Sequence, residues 1–274
     1  MAIELAVERI SGQRPSRAIA FLPGILGRGI NLRTVARQFL DMRSAWSAWL
    51  VDLRGHGRSP KGTPDPSLES AARDVVALAS RETVPLHAIF GHSFGGKVAL
   101  ECARIGGIAP LQHVVVVDSM PGARKPVRTG DSALAVIDAI ESLPEVFPSI
   151  TDFTRALEGV GFRHELAQWL SGNLDREGNQ VRFSLDLQEI RALILDYFVR
   201  DLWPVVEHPP AATRVHLVIG DRSDSYSADD RDRAIRIAAA SNERVTVDVL
   251  PSGHWVHVDD PGGLLRSLLR YIND

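Results

Sequence analysis

The chain has a single cysteine, Cys102, in 274 residues. A lone thiol excludes an internal disulfide and leaves nothing for a cysteine-based zinc site. No apolar run approaches the roughly 18 residues that a membrane span requires. The start, "MAIELAVERI", lacks a basic region followed by a long apolar stretch. The reading is therefore an intracellular, cytoplasmic protein with no membrane partner. Charge of one sign is also missing. With 31 lysines and arginines against 34 aspartates and glutamates, the formal net charge is -3, which offers no broad basic field for nucleic acid. What remains is the profile of a soluble globular chain, 45% hydrophobic and 24% charged, able to bury a sizeable core. Its length suits a large α/β domain carrying an insertion. Monomer and homodimer are equally open at this level.

Short apolar runs alternate with helical patterns in the first part of the chain, the sign of a parallel sheet with crossover helices. "AIAFLPG" (18–24), "AWLVDLRGHG" (48–57), "LHAIFGHS" (86–93) and "HVVVVDSMPG" (113–122) each end in glycine, proline or small polar residues. Strand ends of this kind are where α/β folds place their chemistry. After Pro126 the alternation stops, and helical spacing over 132–143, 152–157, 164–170 and 187–198 predicts an all-helical insertion. The β pattern returns with "TRVHLVIGD" (213–221) and "RVTVDVLPSGH" (244–254), each followed by a helix. The expected organisation is a core of residues 1–125 and 211–274, interrupted by a helical cap at 126–210.

Within "IFGHSFGGKVALECAR" (89–104), Gly91-His92-Ser93-Phe94-Gly95 fits Gly-x-Ser-x-Gly between an expected strand and an expected helix. In that turn the serine is strained, its hydroxyl projects above the sheet, and small flanking residues let strand and helix approach. The helix start at Phe94 aims an N–H at any oxyanion beside Ser93. A serine hydroxyl needs a histidine base that a carboxylate holds in place. His254 in "PSGHWVH", after the last expected strand, is the candidate, with His257 as its neighbour and competitor. Two carboxylates contend: Asp118 in "VVVVDSMPG" and Asp224 in "IGDRSDSYS"; Asp221 is weaker, being a routine turn residue. The second oxyanion donor is expected from "LPGILGRG" (22–29), at the Ile25 amide. That loop lacks the Lys-Ser/Thr ending of a phosphate-binding loop.

These segments, together with "VDLRGHGRS" (51–59) and "GHWVHVDDP" (253–261), resemble the α/β-hydrolase superfamily over nearly the whole chain. Within it the sequence is most similar to the small esterase group of bacterial YbfF-type acyl-CoA esterases and mammalian ABHD-type relatives. One departure is Pro23-Gly24 where that loop usually begins His-Gly; it preserves the backbone donor and removes an imidazole. The resemblance implies an α/β-hydrolase fold with a mostly parallel central sheet, flanking helices and a cap. It also implies a serine hydrolase acting on a small-molecule ester or thioester through a Ser-His-Asp triad, without metal or organic cofactor. The YbfF-like group points to the Asp118 position for the acid and most of the superfamily to the Asp224 position; the closer match of "VDSMP" and "GHWVH" leans towards Asp118. A cofactor-free perhydrolase and a receptor-like binding protein with weak turnover are the alternatives. Serine at the elbow argues against chemistry that uses a carboxylate nucleophile. Phe147, Phe153, Phe162, Trp169, Phe198 and Trp203 are candidate pocket walls, and Arg124, Lys125 and Arg128 stand where an anionic substrate group could be attracted. Cys102 reads as a packed small hydrophobe.

Overall fold

The structure, a computed structural model, describes residues 2–210 and 212–273. The first half alternates strand and helix: β1 (Val7–Ser11), β2 (Arg17–Leu22), α1 (Arg33–Met42), β3 (Trp46–Val51), α2 (Leu68–Ala79), β4 (Leu86–His92), α3 (Phe94–Ile105) and β5 (His113–Val117). The strands read as continuous apolar runs because helices cover both faces of the sheet. Along β2, Ala18, Ala20 and Leu22 join a core with Ala71 of α2 and Val98 of α3, whereas Ile19 and Phe21 join the opposite one with Val35 of α1. That is the two-residue period of a strand. Complete burial of a side chain such as Phe21 contributes roughly 1.5–3 kcal/mol. The helices show the matching stripe: Val35, Ala36, Phe39 and Leu40 are the buried face of α1. Ser67 starts α2 by accepting the Ser70 N–H.

Along the chain, an insertion separates β5 from the next strand of the sheet. It comprises α4 (Ala133–Ser142), β6 (Val146–Phe147), α5 (Ile150–Gly159), α6 (His164–Ser171), β7 (Leu174–Glu177), β8 (Gln180–Phe183), α7 (Leu187–Val199) and α8 (Trp203–Glu207). The expectation of an all-helical segment is corrected here, because β6, β8 and β7 pair as a small antiparallel sheet. The hairpin turn is Gly178-Asn179, with Gly178 at φ 62°, a glycine-led two-residue turn of the kind that joins antiparallel strands. β7 is largely exposed, and although Val181 and Phe183 of β8 alternate with polar residues, strands of only four residues each are too short for that pattern to stand out in the sequence.

The chain closes with β9 (Arg214–Gly220), α9 (Ala228–Ala240), β10 (Val245–Leu250), α10 (Val256–Asp259) and α11 (Pro261–Tyr271). The main sheet runs β1-β3-β2-β4-β5-β9-β10. β1 is antiparallel to β3 and every other pairing is parallel. Strand β1 has no counterpart among the sequence expectations, since an edge strand with polar Glu8, Arg9 and Ser11 carries little apolar signal. The middle strand is β4, so the residue after it stands at the centre of the carboxyl edge, where ligands of open α/β sheets bind.

Candidate active site

Ser93 follows β4 directly and has φ 52° and ψ -118°, a conformation costly for a residue with a Cβ. It survives because its neighbours have none. A Cβ on Gly91 would lie 2.1 Å from the Gly95 carbonyl oxygen, one on Gly95 2.3 Å from that of Leu22, and one on Gly96 2.5 Å from the Ser119 Cβ. Only glycine lets β4, α3 and the β2 loop close around the serine. The Ser93 N–H donates to the Val117 carbonyl at 2.9 Å, which ties the turn to β5.

His254, in the loop after β10, faces this hydroxyl with Nε2 3.1 Å from Ser93 Oγ. Its Nδ1 lies 2.6 Å from Asp118 Oδ2 and 3.1 Å from Ser225 Oγ. Asp118 follows β5 at φ 44° and is wholly buried. Its Oδ1 accepts the Gly220 N–H at 3.0 Å and its Oδ2 accepts the Ser223 hydroxyl. Burial pushes the Asp118 pKa up. The His254 hydrogen bond and charge, with the Ser223 and Gly220 donors, outweigh it and hold the carboxyl below its ordinary value. Asp224 is exposed; it borders the cavity and makes no hydrogen bond to the His254 ring. Asp221 is also exposed, with Arg222 its ionic neighbour at 4.0 Å.

His257 stands apart from Ser93, with its ring 4.9 Å from that of His92. Burial and the nearby His254 charge push its pKa down to about 4. His92 is buried, and its Nε2 donates to the His254 carbonyl at 2.8 Å. The residue before the serine thus holds the loop that presents the histidine. Hydroxyls at Ser223 and Ser225 and the fastening by His92 escape a reading of the sequence, because loop serines carry no distinguishing spacing and His92 fills a variable position of the Gly-x-Ser-x-Gly turn. The nearest signal is "RSDSYS" itself, of which Ser223 and Ser225, and not Asp224, contact Asp118 and His254.

Phe94 follows Ser93 directly and Ile25 borders the same cavity, and neither amide donates to a backbone carbonyl outside the regular elements among the described residues. A Cβ on Gly24 would lie 3.3 Å from the Ser93 Cβ, so the β2 loop passes directly against the serine. In front of these groups opens a cavity of about 660 Å³, within the usual range for a small-molecule site. Trp169 and Phe198 line it with Val136, Leu166 and Ile194. Phe147, Phe153, Phe162 and Trp203 do not; Phe147 and Phe153 pack on each other at 5.3 Å inside the insertion. Arg124 lines the cavity, Lys125 is exposed, and Arg128 is paired with Asp138 at 2.8 Å.

Lys97, in α3, links these parts. Its ammonium donates to the carbonyls of Gly122, Tyr197 and Arg200 at 2.8, 2.7 and 2.9 Å, joining the serine helix to the loop beyond Asp118 and to the end of α7. Burial and the Arg124 charge push its pKa down to about 7.

Known proteins share this architecture. The model of the alpha/beta hydrolase family matches residues 19–267. The mouse (Mus musculus) sn-1-specific diacylglycerol lipase ABHD11 is 26% identical, over 98% of this chain and 85% of that protein. Esterase YbfF of Escherichia coli (strain K12) is 24% identical, over 100% of both chains. The solved structure of a marine microorganism esterase has a TM-score of 0.81 at 21% identity, covering 99% of this chain and 100% of that one.

Proposed function

The chain belongs to the alpha/beta hydrolase family, and from that premise we propose that it cleaves carboxylic esters or thioesters through an acyl-enzyme. Its catalytic residues are Ser93, His254 and Asp118. The carrying observation is the continuous path from Ser93 Oγ to His254 Nε2 at 3.1 Å and from His254 Nδ1 to Asp118 Oδ2 at 2.6 Å. In this reading Ser93 Oγ attacks the carbonyl carbon while Nε2 takes its proton. The buried Asp118 carboxylate holds the ring with its proton on Nδ1 and stabilises the imidazolium that forms. The Ile25 and Phe94 amides receive the developing oxyanion, and removing one such donor costs about 10²–10³ in rate. His254 then protonates the leaving alcohol or thiol, and water, activated by the same base, releases the acid.

Residues 1–125 and 211–274 form the catalytic core in this reading, and 126–210 form the cap. Trp169, Ile194 and Phe198 give the acyl side of the cavity an apolar wall. The names of the relatives support ester substrates: one is a diacylglycerol lipase and two are esterases. The test is turnover of short p-nitrophenyl esters and of a matching thioester by wild type and Ser93→Ala. The expected result is a loss of about 10⁴-fold or more in kcat for the variant. Equal slow rates for the two proteins would favour a receptor-like role and reject the proposal.

A further inference from the structure

One residue beyond the Ile25 amide, the backbone is gripped from both sides. Leu26 adopts φ 64°, a left-handed conformation that a residue with a Cβ keeps only where its surroundings fix it. Its N–H donates to Nε2 of His56 at 3.0 Å. Nδ1 of the same ring donates to the Arg54 carbonyl at 2.7 Å, so a neutral imidazole with its proton on Nδ1 satisfies both contacts. On the other side, the Leu26 carbonyl accepts a hydrogen bond from Nδ2 of Asn173 at 2.7 Å. His56 is fully buried and Asn173 nearly so.

The two partners come from different parts of the chain. His56 belongs to the loop after β3, in the core, while Asn173 lies between α6 and β7, in the insertion. Neighbouring contacts repeat the arrangement. Gly29 N–H donates to Asp52 Oδ1 at 2.8 Å on the core side, and the Arg28 guanidinium donates to the Gly172 carbonyl at 2.9 Å on the insertion side. A Cβ on Gly27 would lie 3.3 Å from the Trp169 indole, so α6 also rests on this loop. The left-handed Leu26 is therefore held by a hydrogen bond from each part of the chain, the core through its N–H and the insertion through its carbonyl.

We propose that His56 and Asn173 are positioning residues for the oxyanion donor at Ile25, so that seating of the insertion on the core completes the site. This rests on the reading of Ser93 as nucleophile and of the Ile25 amide as a donor. An insertion that lifts to admit substrate releases the Leu26 carbonyl, and full stabilisation of the oxyanion returns only when Asn173 is back in place.

The experiment compares Asn173→Ala, His56→Leu and His56→Gln with wild type in the full chain. It measures kcat and KM on a p-nitrophenyl ester, the inhibition constant of a trifluoromethyl ketone that forms an oxyanion on the serine, and Tm. Asn173→Ala and His56→Leu are expected to lower kcat by about tenfold and to weaken the ketone by a similar factor, with KM within about twofold. In His56→Gln the introduced amide oxygen can still accept the Leu26 N–H, so that variant recovers part of the loss. Should His56→Leu fail to fold, Asn173→Ala carries the test, since it deletes one amide and buries no new group. A change in KM alone, or unaltered ketone affinity for a folded Asn173→Ala, overturns the proposal. Wild-type turnover by Ser93→Ala would instead overturn the reading on which it rests.

Discussion

Nδ1 of His254 and Oδ2 of Asp118 meet at 2.6 Å although 136 positions separate them in the chain. The contact exists because β5 and the loop after β10 open on the same edge of the sheet, with β9 between them supplying the Gly220 N–H to the same carboxylate. Asp224, on the loop after β9, stays exposed at the rim.

The two carboxylates therefore separate by mutation. Asp118→Asn removes the charge that stabilises the imidazolium and disturbs its tautomer, and kcat should fall by about 10³–10⁴. Asp224→Asn should remain within about twofold of wild type in the same assay. The reverse ranking in steady-state kinetics would reject Asp118 as the acid.

Lys97 gives a signed pH dependence. Its folded-state pKa is pushed down to about 7, while an unfolded lysine keeps its ordinary value near 10.4. Between those values the unfolded chain binds more protons, so the free energy of unfolding rises with pH across the window from about 7 to 10. Lys97→Met should flatten that rise in urea titrations at several pH values. It should also cost about 2–4 kcal/mol, because two buried carbonyls and one part-buried carbonyl lose their donor.

Gly95 and Gly159 predict opposite responses to alanine. A Cβ on Gly95 meets backbone oxygens of Leu22 and Pro23 at 2.3 and 2.6 Å, atoms that cannot move without displacing β2. Gly95→Ala should destabilise by about 3 kcal/mol or more, or yield insoluble protein. Gly159, the last residue of α5, has nothing within 4 Å of its Cβ position. Gly159→Ala should raise stability by about 0.5–1 kcal/mol, read from the urea midpoint.

Cys102 is fully buried in α3, and burial pushes its thiol pKa well up. A thiol-specific disulfide reagent should leave the native protein unlabelled for as long as it stays folded, and should modify one thiol per chain in guanidinium. Rapid labelling under native conditions would contradict the packing of α2 on α3.

Much of the site is legible in local sequence because its chemistry depends on short-range sterics. Gly91, Gly95 and Gly96 mark a turn that no other residue can make, and the apolar run before them with the helical pattern after them sets its context. His254 is legible for a similar reason, as the first histidine after the last strand. The edge strand β1 and the hairpin of β7 and β8 are not, since strands of four or five residues are too short for their own pattern to mark them and gain their pairing from neighbours.

The sequence by itself determined that a strained serine would stand at the end of a buried strand, with a histidine available from the last strand loop. Only the tertiary structure decided which aspartate meets that histidine, which aromatic residues line the cavity, and that His92, Ser223 and Ser225 gather around the same loop. The physical reason is the range of the interactions. A glycine turn is enforced within a few residues by backbone contact, whereas the pairing of Asp118 with His254 depends on the order in which β4, β5, β9 and β10 lie side by side. That order is set by burial over the whole sheet.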